Sequence, residues 1–517
     1  MGWLDISIIV LYLLFISWRG FSKSQTHNTT TDFFLANRSL SWPVIGLSLF
    51  ATNISTSSII GLASSGYKTG ISVFDYEWTG SIMLVIFAIF IIPFYLNYQL
   101  TTMPEYLERR FDQRSRVFFA FISIIINIFI DISGALYASS LFLEGLFPHV
   151  NSYIFIISLA IIAGLYTISG GLRAVITTDS IQAMLITSGS IIVTFIAFWH
   201  VGSWHHLTTA LDHKYLSLIR PANDSVVPWP TLLISMPILG FYFMCTNQYM
   251  VQRVLSARSV DDGRKGALFA ALLKLSGLFI FVLPGTLARI IFPHISDSNL
   301  VFPKLVYKFL PPGILGFVMT AFIAALMSSI DSALSASSSI ATMDIYKNFR
   351  PESSQSHLVK VGKIFIIIAV LMASLWAPFI TRFHTLWTYL QAVLSYLSPP
   401  VASCFLLGLV WQKASSDGAY YALWGGSIAA VILVINNYFL PFMGSIHYLY
   451  SATIIFVFSS LIMIVVSLMR PDDKSFKHMH KWFEDMASPA GQVWYRSYKL
   501  FAVVVCLLTA AIVIAFW

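Results

Sequence analysis

A chain of 517 residues that is 57% hydrophobic and only 10% charged, with a mean hydropathy of +0.77, does not belong among soluble enzymes, in which roughly a quarter of residues carry charge. It reads as an all-α polytopic membrane protein lying in a lipid bilayer. The formal net charge of +8 would suggest nucleic acid in a soluble chain; here most Lys and Arg fall in alternate loops, so the charge is a topology signal and no nucleic-acid partner is expected.

Crossing a bilayer takes about 20 apolar residues, and the chain holds runs for about fourteen crossings. In chain order they are 4–18, 42–66, 73–97, 115–146, 151–169, 176–202, 229–250, 266–292, 311–345, 359–380, 386–411, 418–440, 447–469 and 498–516. The first lacks a basic leading region and a small-residue cleavage site, so it is expected to be a retained helix and not a signal peptide. Basic residues gather in the loops with Arg19, Lys23 and Arg38, with Arg109, Arg110, Arg114 and Arg116, with Arg253, Arg258, Arg264 and Lys265, and with Lys347, Arg350 and Lys360. The segment 470–498, with Arg470, Lys474, Lys477, Lys481 and Arg496, falls on the same side. These loops alternate, as positive-inside sorting demands, which places both termini on the outer, periplasmic or extracellular, face of a plasma or inner membrane.

Loops near 67–72, 147–151, 203–228, 293–310 and 441–446 are poor in basic residues. One of them carries Asn223-Asp224-Ser225, a glycosylation acceptor pattern common by chance. Residues 471–497 read as a connector, with a surface-lying helix through Trp482, Phe483 and Trp494 as the alternative. Cys245, Cys404 and Cys506 lie far apart inside apolar runs, a spacing that suits neither a disulfide framework nor a metal site.

Two polar interruptions set the expected architecture. Ala51-Thr52-Asn53-Ile54-Ser55-Thr56-Ser57-Ser58 breaks the second run, and Gly240 to Tyr249, with Cys245-Thr246-Asn247-Gln248, breaks the seventh. Polar groups at membrane depth are costly unless they bond one another, line a cavity or unwind the helix around a ligand. Either interruption alone suits a kinked helix packed by small polar residues. Together, five helices apart, they suit two five-helix repeats that each begin with a discontinuous helix and enclose a midplane site. The repeats are expected at 42–202 and 229–411, flanked by an extra N-terminal helix at 4–18 and C-terminal helices at 418–516, all one transporter domain.

On the ninth run Ala325, Ser328, Ser329 and Ser332 recur at helical spacing and share a face. Hydroxyl and carbonyl oxygens are hard ligands that suit sodium, although such a stripe by itself is also an ordinary helix-packing contact. Glu77 and Lys274 are charges well inside apolar runs, each expected to have a partner or to face a polar solute cavity. Gln391 offers a donor and an acceptor suited to a hydroxylated ligand. Asp179 reads either as a helix cap or, with Asp331 and Ser332, as part of a second cation site. No GxxxxGK[ST] loop appears, the histidines lack metal-ligand spacing, and the buried Ser and Thr lack a His partner in their own segments. Nucleotide-driven pumping, enzymatic activity and a cofactor other than a coupling ion are therefore not expected.

The chain resembles the sodium/solute symporter family, in particular its sodium/galactose and sodium/glucose cotransporter branch. The resemblance runs from Asp32-Phe33-Phe34-Leu35-Ala36 to the eleventh run. It is carried by Ala51 to Gly61, Tyr76-Glu77-Trp78, Gly170-Gly171-Leu172-Arg173-Ala174-Val175 with Thr178-Asp179, Asn247-Gln248-Tyr249 with Gln252-Arg253, Phe269-Ala270-Ala271 leading to Lys274, and Ser328-Ser329 leading to Thr342-Met343-Asp344-Ile345-Tyr346. It implies a leucine-transporter-type 5+5 inverted-repeat fold and sodium-coupled import of a small hydroxylated solute, a sugar or polyol, by alternating access. The rivals are another cargo (an acidic sugar, an amino acid or another organic solute) and a sensor or channel on the same scaffold.

The resemblance further implies a core sodium site of the Ala51, Ile54 and Ala325 carbonyls with the Ser328 and Ser329 hydroxyls. It implies a second sodium near Asp179, Asp331 and Ser332, and solute contacts at Asn53, Glu77, Lys274 and Gln391, with Tyr76 as an inner-gate aromatic. Ser58, Gly80, Gly240 and Phe243-Met244 depart from the relatives' pattern. Phe243 can still stack on a ring, and Ser58 can still face the solute.

Overall fold

A computed structural model describes residues 2–22, 29–144, 149–224, 226–382, 386–440, 443–472 and 497–517. The surface-helix alternative at 471–497, apart from its first two residues and Ser497, lies outside them, as does Ser225 of the glycosylation triplet. Among the described residues ten helices are long and apolar enough to cross a membrane, with shorter apolar segments at Trp3–Ile16, Ser152–Leu165 and Ser235–Thr246. The protein is a multi-pass, all-helical membrane protein.

We number the helices used below in chain order: α1 Trp3–Ser22, α2 Trp42–Asn53, α3 Thr56–Thr69, α4 Asp75–Ile86, α5 Gln113–Ile126, α6 Ser133–Glu144, α7 Ser152–Val201, α8 Ser235–Phe241, α9 Gln248–Leu255, α10 Val260–Leu275, α11 Ile314–Ile340, α12 Gln355–Trp376, α13 Leu386–Val410, α14 Ser416–Tyr438, α15 Tyr448–Met469 and α16 Tyr498–Ala515. One expectation fails at α7. The gap anticipated between 169 and 176 is absent, and one helix runs through from Ser152 to Val201. The Gly170-Gly171 pair weakens a helix by about 1 kcal/mol per glycine but, unlike proline, removes no hydrogen-bond donor.

Both anticipated breaks are present. α2 ends at Asn53, Ile54 and Ser55 are non-helical, and Ser55 caps α3 by accepting from the Ser58 amide at 2.9 Å. A run of Asn, Ser and Thr promotes this stop because their side chains compete for nearby backbone groups. In the seventh run a π-turn at Tyr242–Thr246 leads into extended Asn247, whose side chain caps α9 through the Tyr249 amide at 3.0 Å.

The two broken elements meet: α9 packs against both α2 and α11, and α11 lies along α7. α2 and α10 cross closely at Gly46 and Gly266, where an added Cβ would come within 2.6 Å of Phe269 and Ile45 respectively. Small residues permit such approach in membranes. Two turns further along each helix stand Asn53 and Lys274, so this crossing sets how the lysine meets the break.

The N-terminus of α11 is capped from another helix. Gly313 there has φ +89 and offers no side chain. Asp5 of α1 supplies the oxygen, its Oδ1 accepting from the Gly313 and Gly316 amides at 2.7 and 2.8 Å. Asp5→Ala is expected to lower stability by about 1–2 kcal/mol, read as a fall in melting temperature in detergent, with Asp5→Asn losing much less. Equal melting of all three proteins would refute the capping role.

Several arginines assigned to basic loops are buried. Arg253 is 0% exposed, Arg110 donates to the Gly408, Trp411 and Ala414 carbonyls, and Arg264 reaches Ala88 and Ile89. Five donors per guanidinium make arginine an efficient tie for carbonyls freed at helix ends, a use that a count of charges per loop overlooks.

Candidate functional site

A cavity with about 960 Å³ of atom-free space, open water included, lies where the breaks meet. All seven residues expected to face a solute line it: Asn53, Ser58, Tyr76, Glu77, Phe243, Lys274 and Gln391. The two buried charges are each other's partners. Lys274 Nζ donates to Glu77 Oε2 and also to Asn53 Oδ1, joining α10, α4 and the end of α2. Ser81 Oγ reinforces the same seam by donating to the Ala271 carbonyl at 3.2 Å. Gly80 leaves the lysine its room, since a Cβ there would stand 2.8 Å from Lys274 Cε. Gly240 likewise faces Met83, at 2.9 Å from an added Cβ. The Ser55 and Ser58 hydroxyls bond each other at 3.0 Å beside the cavity.

Tyr76 is fixed in the cavity wall by two aromatic neighbours. Its hydroxyl meets that of Tyr448 at 2.9 Å and its ring stands edge-on to Trp387, with centroids 5.6 Å apart. Tyr76 and Tyr448 both open helices that follow loops poor in basic residues, so Tyr76 stands at the end of the cavity away from the basic loops.

Beside the cavity, the break at Ile54 leaves the last carbonyls of α2 without the donors a continuous helix would supply. The Thr52 carbonyl accepts from Tyr249 at 2.7 Å, and the Thr52 hydroxyl meets that of Ser332 on α11 at 3.3 Å. Ala51 and Ile54 are buried here, with Ala325, Ser328 and Ser329 on α11. Ser329 donates to the Ala325 carbonyl at 2.8 Å and lies within hydrogen-bond reach of Tyr249. Ser328 donates to Asp179 Oδ1 at 2.7 Å, which leaves its oxygen lone pairs free to accept.

Asp179 lies in the interior of α7, so it is no helix cap. Its second oxygen accepts from Ser48 at 2.6 Å and pairs with Arg253 at 3.3 Å, both charges fully buried. Arg253 also donates to Ser332 Oγ, and to the Tyr249 carbonyl at 2.8 Å. Asp331 takes a hydrogen bond from Thr167 at 2.7 Å through Oδ1, while its Oδ2 is buried without a partner. The three residues expected around a second cation thus lie near one another, with an arginine among them that the loop assignment had misplaced.

Among the cavity residues that sequence reading did not single out are Asp131, Trp387 and Tyr249. Asp131 is an acid inside an apolar run and was discoverable by the rule that singled out Glu77. Trp387 and Tyr249 had no such signal, because an aromatic in a membrane helix is unremarkable until its neighbours are known. Trp387 packs over Gly61, where a Cβ would lie 2.9 Å from its ring.

A family model described as the sodium:solute symporter family matches residues 33–426. The chain belongs to that family. Among related symporters it is similar to sodium/myo-inositol cotransporter 2 of Oryctolagus cuniculus, 34% identical across 93% of this chain and 79% of that protein. Sodium/glucose cotransporter 1 of the same species is 32% identical across 90% of this chain and 78% of that protein. Among solved structures, a substrate-bound, outward-open Na+-coupled sialic acid symporter superposes with a TM-score of 0.79 at 22% identity, covering 90% of this chain and 98% of that one. At that identity the likeness speaks for the fold alone. The symporter family comprises transporters, and sodium is its coupling ion.

Proposed function

We propose that this symporter imports a small hydroxylated solute, a sugar or polyol, by alternating access driven by sodium. The observation that carries the reading is the Lys274–Glu77–Asn53 cluster in a cavity bordered by both helix breaks and by Gln391. Donors and acceptors alternate there, as a ring of hydroxyls requires. The relatives named above carry inositol and glucose in their names, which supports the same class here. The fold we assign is a 5+5 inverted repeat, 42–202 and 229–411, with a split first helix in each repeat. We place the protein in the plasma or inner membrane with both termini outside, on the distribution of basic loops.

For the coupling ion we assign the carbonyls of Ala51, Ile54 and Ala325 and the hydroxyls of Ser328 and Ser329. Sodium held there draws α2 against α11 and fixes the break whose other side, at Asn53, meets the solute. Each ligand then favours the conformation that the other binds, which is what coupling requires. Asp179, Asp331 and Ser332 form the second candidate cation set, but Arg253 already stands as the counter-charge of Asp179. We therefore assign one sodium per cycle to the unaltered protein.

In liposomes, uptake should run on a sodium gradient, saturate, and stop when choline replaces sodium; equal uptake in both would end the proposal. Ser329→Ala removes one hydroxyl ligand and should raise the half-saturating sodium concentration on the order of tenfold, with maximal solute binding at high sodium largely kept. An unchanged sodium requirement would remove Ser329 from the ion site.

A further inference from the structure

Among the described residues, three charged side chains line the cavity: Glu77, Lys274 and Asp131. The first two neutralise one another. Asp131 has no such partner, and its Oδ2 is buried with no hydrogen bond at all. Of the tyrosines near it, Tyr249 is engaged with the Thr52 carbonyl, and no cationic side chain of the cavity wall other than Lys274 is at hand among the described residues. In its ionised form Asp131 therefore gives the cavity one negative charge that no side chain of its wall neutralises. It sits in surroundings of low dielectric, where a like charge on a ligand is repelled far more strongly than in water.

The backbone explains how this acid arrives there. Asn127–Ile132 forms a π-turn between α5 and α6. Its wider turn sets residues four and five apart on one side, and Ile126, Ile130 and Asp131 all border the cavity. In an α-helix a residue five positions on is rotated well away from the first. Such bulges recur at functional sites, and this one spends a helix irregularity on presenting a single carboxylate.

We propose that Asp131 is the charge filter of the cavity: its unpaired carboxylate repels acidic forms of the solute and admits neutral polyhydroxylated solutes and their aminated counterparts. This rests on the import reading above, and it decides between that reading's neutral cargo and the rival of an acidic sugar. Lys274, the residue that would attract an anion, is already held by Glu77.

The test uses the full-length protein in proteoliposomes with a sodium gradient, competing labelled glucose or myo-inositol, whichever is taken up, with glucuronate and with its neutral amide, glucuronamide. The pair shares one skeleton and differs in charge. Glucuronamide should compete at least about tenfold better than glucuronate. Asp131→Asn should narrow that gap by about tenfold and weaken glucosamine relative to glucose, while Asp131→Glu keeps the gap. Equal competition by acid and amide in the unaltered protein, or a gap unmoved in Asp131→Asn, overturns the filter while sodium-driven uptake stands. The acid–amide comparison decides the matter even when Asp131→Asn fails to fold. Absence of sodium-driven uptake for every neutral sugar and polyol would instead overturn the import reading, and the filter with it.

Discussion

Lys274→Ala is expected to abolish measurable solute binding and sodium-driven uptake, with a fall of at least about a hundredfold. The ammonium is nearly buried, 4% exposed, and holds both Glu77 and Asn53. Its removal leaves a carboxylate in the cavity wall without its cation, a change that costs about 3–5 kcal/mol where a buried pair is broken. Stability and binding should therefore both suffer, and the two must be separated. The double substitution Lys274→Met with Glu77→Gln removes both charges and keeps the volume. It should regain melting behaviour close to the unaltered protein and still transport poorly, because the ammonium donor that meets Asn53 and the solute hydroxyls is gone. Gln391→Ala, which touches no buried charge, should impair solute binding with little change in melting. Uptake by Lys274→Ala at the unaltered rate would show that the cluster is structural only.

Arg253→Met is expected to have the second large effect, for a different reason. The guanidinium is buried against Asp179, Ser332 and the Tyr249 carbonyl, so its loss strands Asp179 at a cost of about 3–5 kcal/mol. Yield and melting temperature should drop sharply, and Asp179→Asn in the same chain should restore them in large part. With the arginine gone, a cation is the natural replacement beside Asp179, Asp331 and Ser332. Sodium should then stabilise Arg253→Met more than it stabilises the unaltered protein, since an ion that binds only the folded state adds to its stability. The sodium dependence of the variant should steepen from a Hill coefficient near one towards two. Identical sodium-induced melting shifts in variant and unaltered protein would remove the second cation set from consideration.

The contrast between these two lysine and arginine positions shows what could be inferred from a one-dimensional pattern. Lys274 lies inside an apolar run, so its cost was visible and a partner was anticipated, although only the close crossing at Gly46 and Gly266 identified that partner as Glu77. Arg253 lies near the end of an apolar run beside Arg258 and Arg264, where it resembles any loop charge. Nothing in its neighbourhood along the chain reveals that α9 carries it inward against α7. Asp179 stayed open between a cap and a cation ligand for the same reason, because a helix start was expected where α7 in fact continues.

The sequence by itself determined that the protein is membrane-embedded and helical, because apolar length and the scarcity of charge leave no other way to satisfy its backbone. It also determined where two helices break, since the Asn, Ser and Thr residues that stop them act over three or four positions, within reach of local inspection. The serine stripe on α11 and the isolated charges at 77 and 274 were legible on the same local terms. Only the tertiary structure decided which of these groups face one another. It set Lys274 against Glu77, gave Asp179 to Arg253, placed Tyr76 at the end of the cavity away from the basic loops, and left Asp131 unpaired in its wall. The physical reason is that a residue's cost of burial is read from its own run, whereas its compensation comes from a helix hundreds of residues away, fixed by helix packing and by a π-turn that no residue pattern announces.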